Sequence, residues 1–333
     1  MGSLLLTTSV GTLVAGQAII NRYTENVVVE DLLGEAAVVD NSAQTTPTGE
    51  LVEGPLNILL VGSDYRADPE LAGLPWRADT IMVVHVPRTH DRAYIISIQR
   101  DLWVEIPPSE DGSWPGGEDK INAAFAHGGG GPSGYRLLAR TLSEIMGIEF
   151  HTGALINFYG FTDVVSALGG VVMCVEVPPG ELVLVSAHPP HREFRPGCQH
   201  LDGHAALDYV RQRYQFPDGD FARIRHQQQF LQAIVDRAVS SGVIENLGQL
   251  DEVIRAAGRS LIIDRSIPLP DLVFTLRRIG PDDLTAIRIP LEEHNGSVYY
   301  TTMTPEWEEL FQALRDGQMS QWVIDHPEYV VAL

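Results

Sequence analysis

Apolar and polar positions are most sharply sorted between residues 55 and 119. Three short runs there, Asn57–Val61, Thr80–Val86 and Ala93–Ile98, are rich in Val and Ile and bounded by turn residues. That pattern predicts buried strands. Gly62-Ser63-Asp64 follows the first run, Arg77-Ala78-Asp79 precedes the second, and Arg100-Asp101 follows the third. If the first and third runs are parallel, Asp64 and Arg100 both emerge at the carboxyl edge of a sheet, where open α/β sheets hold ligands.

Downstream the apolar spacing changes to that of helices. It predicts helices over Tyr135–Met146, Phe158–Leu168, a short segment capped by Asp202, Phe221–Val239, Asn246–Ser260, Leu269–Ile279 and Pro305–Asp316. Strands are expected at Gly153–Ile156, Val171–Val177 and near Leu284–Ile289, with Pro178–Gln199 as a long loop. The alternation indicates an α/β chain, with the C-terminal elements as outer layers of the same domain. Gly128–Gly131 precedes a helix and could offer amides to a phosphate, although a plain flexible loop has the same composition.

Composition narrows the partners. With 44% apolar residues in 333, the chain can bury a sizeable core. A net charge of −21 argues against general nucleic-acid binding, which needs a basic footprint. The sole lysine is Lys120, so any anion site must be built from arginine. No Walker or GxGxxG pattern points to a nucleotide.

Leu4–Ile20 is uncharged but diluted by Thr, Ser, Gly and Gln, and no basic residue precedes it. It reads as a membrane anchor lacking its basic start, with a degenerate signal sequence or a buried helix as rivals. Residues 22–54 read as a tether or a loosely packed lead-in strand. Cys174 and Cys198 are 24 residues apart; whether they are bridged depends on the compartment.

Two carboxylates interleaved with guanidiniums suit a phosphate or pyrophosphate with a divalent cation, because Mg²⁺ favours carboxylate and phosphate oxygens and the Arg fork matches phosphate. Arg211, Arg213 and Arg223 add three more cations in one turn-linked unit, and Gln227 lies one helical turn beyond Arg223. His188, His191, His200 and His204 lack carboxylate companions at ligand spacing, so they read as loop and helix-start residues rather than metal ligands.

In order, NILLVGSDYR, RADTIMVVHV, IISIQRDLWVEIP, KINAAFAHGG, FTDVVSALGGVVMCV, LDGHAALDYVRQR and DFARIRHQQ resemble the LytR–CpsA–Psr family over roughly Leu56–Val239. The resemblance implies a single catalytic domain, residues 55–333, in a three-layer α-β-α fold with a central mixed β-sheet. It implies an enzyme on the outer face of the cytoplasmic membrane, anchored near its N-terminus, that moves a glycopolymer from a polyprenyl-pyrophosphate carrier onto peptidoglycan and leaves a phosphodiester. Asp64 and Asp79 match the family's Mg²⁺-associated aspartates (Mn²⁺ being an alternative). Arg77, Arg100, Arg211, Arg213 and Arg223 match its pyrophosphate-binding arginines, and Lys120, Asn122 and Gln227 match polar pocket residues. An outer-face location, with a cysteine pair known in some actinobacterial relatives, implies that Cys174 and Cys198 are bridged. The chain departs from the family at Gln99, where a Pro is usual, and at Val104, where some members have a further Arg. A hydrolysing pyrophosphatase and a non-catalytic lipid-phosphate-binding regulator would use the same residues.

Overall fold

The computed structural model describes residues 28–38, 51–63, 76–243, 247–258 and 261–333. The Leu4–Ile20 anchor, much of the 22–54 tether and Asp64 lie outside the described residues. No helix among the described residues is long and apolar enough to cross a membrane.

The Val/Ile runs form the middle of an eight-stranded mixed sheet. Its strands are β1 (Val28–Glu30), β2 (Leu56–Ser63), β3 (Ala78–Val86), β4 (Ala93–Ser97), β5 (Thr152–Asn157), β6 (Leu261–Asp264), β7 (Leu284–Arg288) and β8 (Val330–Val331). They lie in the order β1-β6-β5-β2-β3-β4-β7-β8. β3 is antiparallel to both β2 and β4, so β2 and β4 run the same way and end at the same edge. β2 and β5 are parallel, as are β4 and β7 and β1 and β6.

Alternation along β2 builds the two outer layers. Leu59 and Val61 face a core that includes Tyr135, Leu138 and Phe311. These belong to the layer of α1 (Ile121–His127), α2 (Gly131–Met146), α8 (Pro305–Arg315) and α9 (Met319–Asp325). Tyr135 pins α2 to the sheet by donating from its hydroxyl to the Leu59 carbonyl at 2.6 Å. The opposite layer holds α3 (Phe158–Ala167), α4 (Gly203–Val210), α5 (Asp220–Ser240), α6 (Leu247–Ala257) and α7 (Leu269–Leu276). Buried Gln228 fastens α5 to the sheet, donating to Ser97 Oγ (3.0 Å) and the Ile287 carbonyl (3.1 Å).

Several expectations need correction. β6 and β7 belong to the central sheet rather than to an outer layer. Val28–Glu30, in the segment read as a tether or a loosely packed lead-in strand, is a strand at one edge of the sheet, because buried Asp264 accepts from the Leu32 and Leu33 amides (2.9 and 3.2 Å) and draws this segment onto β6. The 178–199 loop is partly paired: Leu184–Val185 bonds to Glu193–Phe194, and Gly197–Leu201 lies antiparallel to Val171–Val175. α2 starts at Gly131, inside the glycine run, where a Cβ on Gly130 (φ +71°) would come within 2.9 Å of Trp76. That run serves close packing and does not line the cavity described below.

Cys174 and Cys198 face each other across the Val171–Val175/Gly197–Leu201 pairing and form a disulfide. Reducing it, or making the double Ser variant, should cost roughly 3 kcal/mol of stability, the chain-entropy value for a loop of this length. Thermal melts with and without reductant measure this, and coincident curves would refute it.

Candidate active site

Between the sheet and α5 lies a cavity of about 420 Å³. Leu60, Met82 and Ile156 form its sheet wall, and Phe230, Leu231 and Ile234 its α5 wall. Period-2 alternation on the strands and period-3.6 spacing on α5 turn these apolar side chains to one enclosed space. Asp79, Arg100, Arg211, Arg213, Arg223 and Gln227 reach the same cavity. Most of its lining is therefore apolar and one region is strongly basic.

The charged groups arrive from several elements. Asp79 stands early on β3, and Arg100 follows β4 at the shared β2/β4 edge. Arg211 is the C-cap of α4, whose N-terminus is capped by Asp202 accepting from the Ala205 amide at 2.8 Å. Arg223 and Gln227, one turn apart, both reach the cavity from α5.

Asp220, given no site role from the sequence although it opens the DFARIRHQQ motif, joins them. At the start of α5, it accepts from Arg100 Nε (2.8 Å), Arg213 Nη1 (2.9 Å) and Arg223 Nη2 (2.7 Å). Arg100 also donates through Nη1 to Asp79 Oδ1 at 2.6 Å. Burial alone would raise the Asp220 pKa, but Arg223, Arg100 and Arg213 outweigh it and keep the carboxyl below its usual range. Burial likewise opposes the Arg100 charge, and Asp220 and Asp79 more than compensate. For Arg223 burial prevails and lowers the pKa, despite Asp220, with Arg100 adding to the effect. The two partners of that pair thus shift unequally; both remain charged, since guanidinium does not deprotonate in proteins. Three guanidiniums divide one carboxylate among them, which leaves capacity for a further anion.

Lys120 and Asn122 do not line the cavity. Lys120 Nζ meets Asp101 Oδ1 at 2.6 Å, Asp101 Oδ2 lies 3.5 Å from Arg100 Nε, and the Asn122 amide donates to the Arg100 carbonyl at 3.2 Å. Both residues brace the turn that carries Arg100. Arg77 is exposed beside β3, outside the lining, with its carbonyl accepting from Ser63 Oγ at 2.8 Å. Gln99 is fully buried and holds the Asp101 amide through Oε1 at 2.6 Å. Val104 is a core residue.

For a cation the donors are sparse but suitable. Asp79 Oδ1 is engaged by Arg100, whereas Oδ2 has no hydrogen bond among the described residues. One hard oxygen beside an anion-binding cluster suits Mg²⁺, which fills its shell with substrate phosphate oxygens and water. Among the described residues no three His, Cys, Asp or Glu side chains gather as a metal group.

The family model described as "LytR_cpsA_psr family" matches residues 21–316. The "Probable cell wall biosynthesis protein LcpB" of Corynebacterium glutamicum is 36% identical over 217 residues, 62% of this chain and 48% of that protein. The chain spans about half the length of the curated relatives it matches first. The crystal structure of TagV from B. subtilis superposes with a TM-score of 0.63 at 23% identity, covering 80% of this chain and 98% of TagV. TagT bound to LIIa-WTA gives 0.59 at 23% identity, covering 87% and 98%.

Proposed function

Because the chain belongs to the LytR–CpsA–Psr family, we propose that it transfers a glycopolymer from a polyprenyl-pyrophosphate carrier to a muramic acid hydroxyl of peptidoglycan, forming a phosphodiester and releasing polyprenyl phosphate. The observation that carries this reading is the joining of an arginine cluster to an apolar cavity. A lipid pyrophosphate has the same two parts, an anionic head and a hydrocarbon tail. TagT, a protein of the same fold, has been captured with LIIa-WTA, and LcpB is named for cell wall biosynthesis; both support the assignment.

Arg100, Arg211, Arg213 and Arg223 would grip the pyrophosphate and stabilise charge on the phosphoryl group in transfer, with Arg77 approaching from the rim and Gln227 orienting the phosphates. Asp64 and Asp79 are the proposed holders of Mg²⁺, or of Mn²⁺, which when bound neutralises charge on phosphate oxygens. Lys120 and Asn122 hold the Arg100–Asp101 turn in place. Positioning and electrostatics supply most of the catalysis in phosphoryl transfer. The proposed donor and acceptor would put the domain at the outer face of the cytoplasmic membrane, with Leu4–Ile20 as the proposed anchor. The Cys174–Cys198 bond suits that oxidising setting.

The test is a transfer assay on the full chain, with a synthetic polyprenyl-pyrophosphate glycan, peptidoglycan fragments, and Mg²⁺ or EDTA. A Mg²⁺-dependent glycan–phosphate–muramyl adduct, identified by mass, is expected. Released glycan phosphate without adduct would indicate a pyrophosphatase, and intact bound donor a regulator.

Filling the cavity should separate tail binding from chemistry. Leu231→Trp should raise KM for a long-chain donor by about thirtyfold, since excluding two or three methylenes costs roughly 2 kcal/mol. A short-chain donor should be little affected. An equal KM change for both donors would mean that the tail lies elsewhere.

A further inference from the structure

The transfer reaction releases a proton, and the cavity rim holds a group suited to take it. The hairpin Leu184–Val185/Glu193–Phe194 carries His188 to the cavity, where it lies among the lining residues with Arg211 and Arg213. Its position is built rather than incidental. Buried Ser186 donates from Oγ to Asp208 Oδ1 at 2.5 Å and accepts from Gln212 Nε2 (2.9 Å) and from the His188 amide (3.0 Å). Gln212 Oε1 accepts from the Ala187 amide at 2.9 Å, and the Ser186 carbonyl lies 3.0 Å from His191 Nδ1. Asp208 is on α4, and Gln212 stands between the two arginines. One segment therefore fixes both the anion-binding guanidiniums and the loop bearing the imidazole.

The other polar groups at the cavity have other work. Asp220 is held by three guanidiniums, and Asp79 gives Oδ1 to Arg100 and leaves Oδ2 for the proposed cation. The Tyr214 hydroxyl is engaged by Arg213. Gln227, Asn157 and Thr80 have no basic lone pair at neutral pH. The His188 ring carries no hydrogen bond among the described residues.

Resting on the transferase reading, we propose that His188 is a catalytic residue: its imidazole accepts the proton of the attacking muramyl hydroxyl. The hydroxyl oxygen forms the new bond to the sugar-proximal phosphorus as that phosphorus loses its bond to the bridging oxygen. Polyprenyl phosphate departs with the bond's electron pair. The proton moves to His188 and then to water.

The surrounding charges give this base a distinctive titration. Burial and the nearby Arg211 lower the His188 pKa, Asp208 opposes them, and Arg213 and His191 add smaller downward effects. On the same hairpin Arg192 lies 3.8 Å from Asp208 and Glu193 is exposed. The imidazole is thus neutral in the free protein at neutral pH. A bound pyrophosphate offsets Arg211 and Arg213, so the ring becomes more basic when the donor is in place. The acid limb of kcat/KM, which reports the free protein, should lie below pH about 6.5, and that of kcat at higher pH.

The experiment compares wild-type full chain with His188→Ala and His188→Gln, measuring the pH profile of adduct formation, donor affinity and melting temperature. Both variants should lose about 10²–10⁴ in kcat, keep donor affinity and melting temperature, and lose the acid limb. Added imidazole should partly restore His188→Ala. Wild-type rates, a surviving acid limb or a loss confined to donor binding would overturn the assignment of His188 while leaving the transferase intact. A wild-type chain that makes no adduct would instead remove the transferase reading.

Discussion

Arg100→Ala should slow transfer by about 10²–10³-fold, the usual loss when one preorganised donor to developing phosphoryl charge is removed. The effect should exceed that of any single rim arginine, because Arg100 contacts Asp79 through Nη1 and Asp220 through Nε. Its loss would remove a phosphate donor, free Asp79 and take one of three cations from Asp220 inside the proposed anion site. Arg100→Lys should rescue little, since one ammonium cannot reproduce a fork directed at two partners. Single-turnover rates at saturating donor, with donor affinity measured separately, check this. Transfer at the wild-type rate by Arg100→Ala would detach the arginine cluster from the chemistry.

Asp220→Ala should act chiefly on stability. It would leave Arg100, Arg213 and Arg223 facing one another, with Arg223 buried at 7% exposure. Breaking a buried ion pair from one side typically costs about 3–5 kcal/mol, and urea unfolding measures that loss. Inorganic pyrophosphate should recover more stability in the variant than in wild type, because a ligand that binds only the folded state stabilises it by mass action. If pyrophosphate fails to do so, the guanidiniums do not form an anion site.

What could be read in advance followed the range of the interactions. β2, β3 and β4 were legible because their Val/Ile runs are long and continuous. Asp202 was legible as a cap, and Arg223 with Gln227 as one-turn neighbours, because those relations span three or four residues. β1 and β6 were not, being three and four residues long and stabilised by partners far along the chain. Asp220 gave no local signal: its bond to Arg100 spans 120 residues. An aspartate at a helix start reads as an ordinary favourable charge near the dipole. His188 was visible only as a loop histidine, because what brings it to the cavity is an anchor of Ser186 on Asp208 22 residues away.

Asp220 also bears on how quickly the protein can turn over. Every guanidinium that leaves it to hold a substrate phosphate can return to it when the product goes. The carboxylate is an internal competitor, present at fixed effective concentration and never diluted. On the proposed reading it would weaken the grip on donor and on polyprenyl phosphate alike, so less of the binding energy would stand as a barrier to product departure. A cluster of unopposed arginines would hold its product and stall; one with its own anion can exchange it.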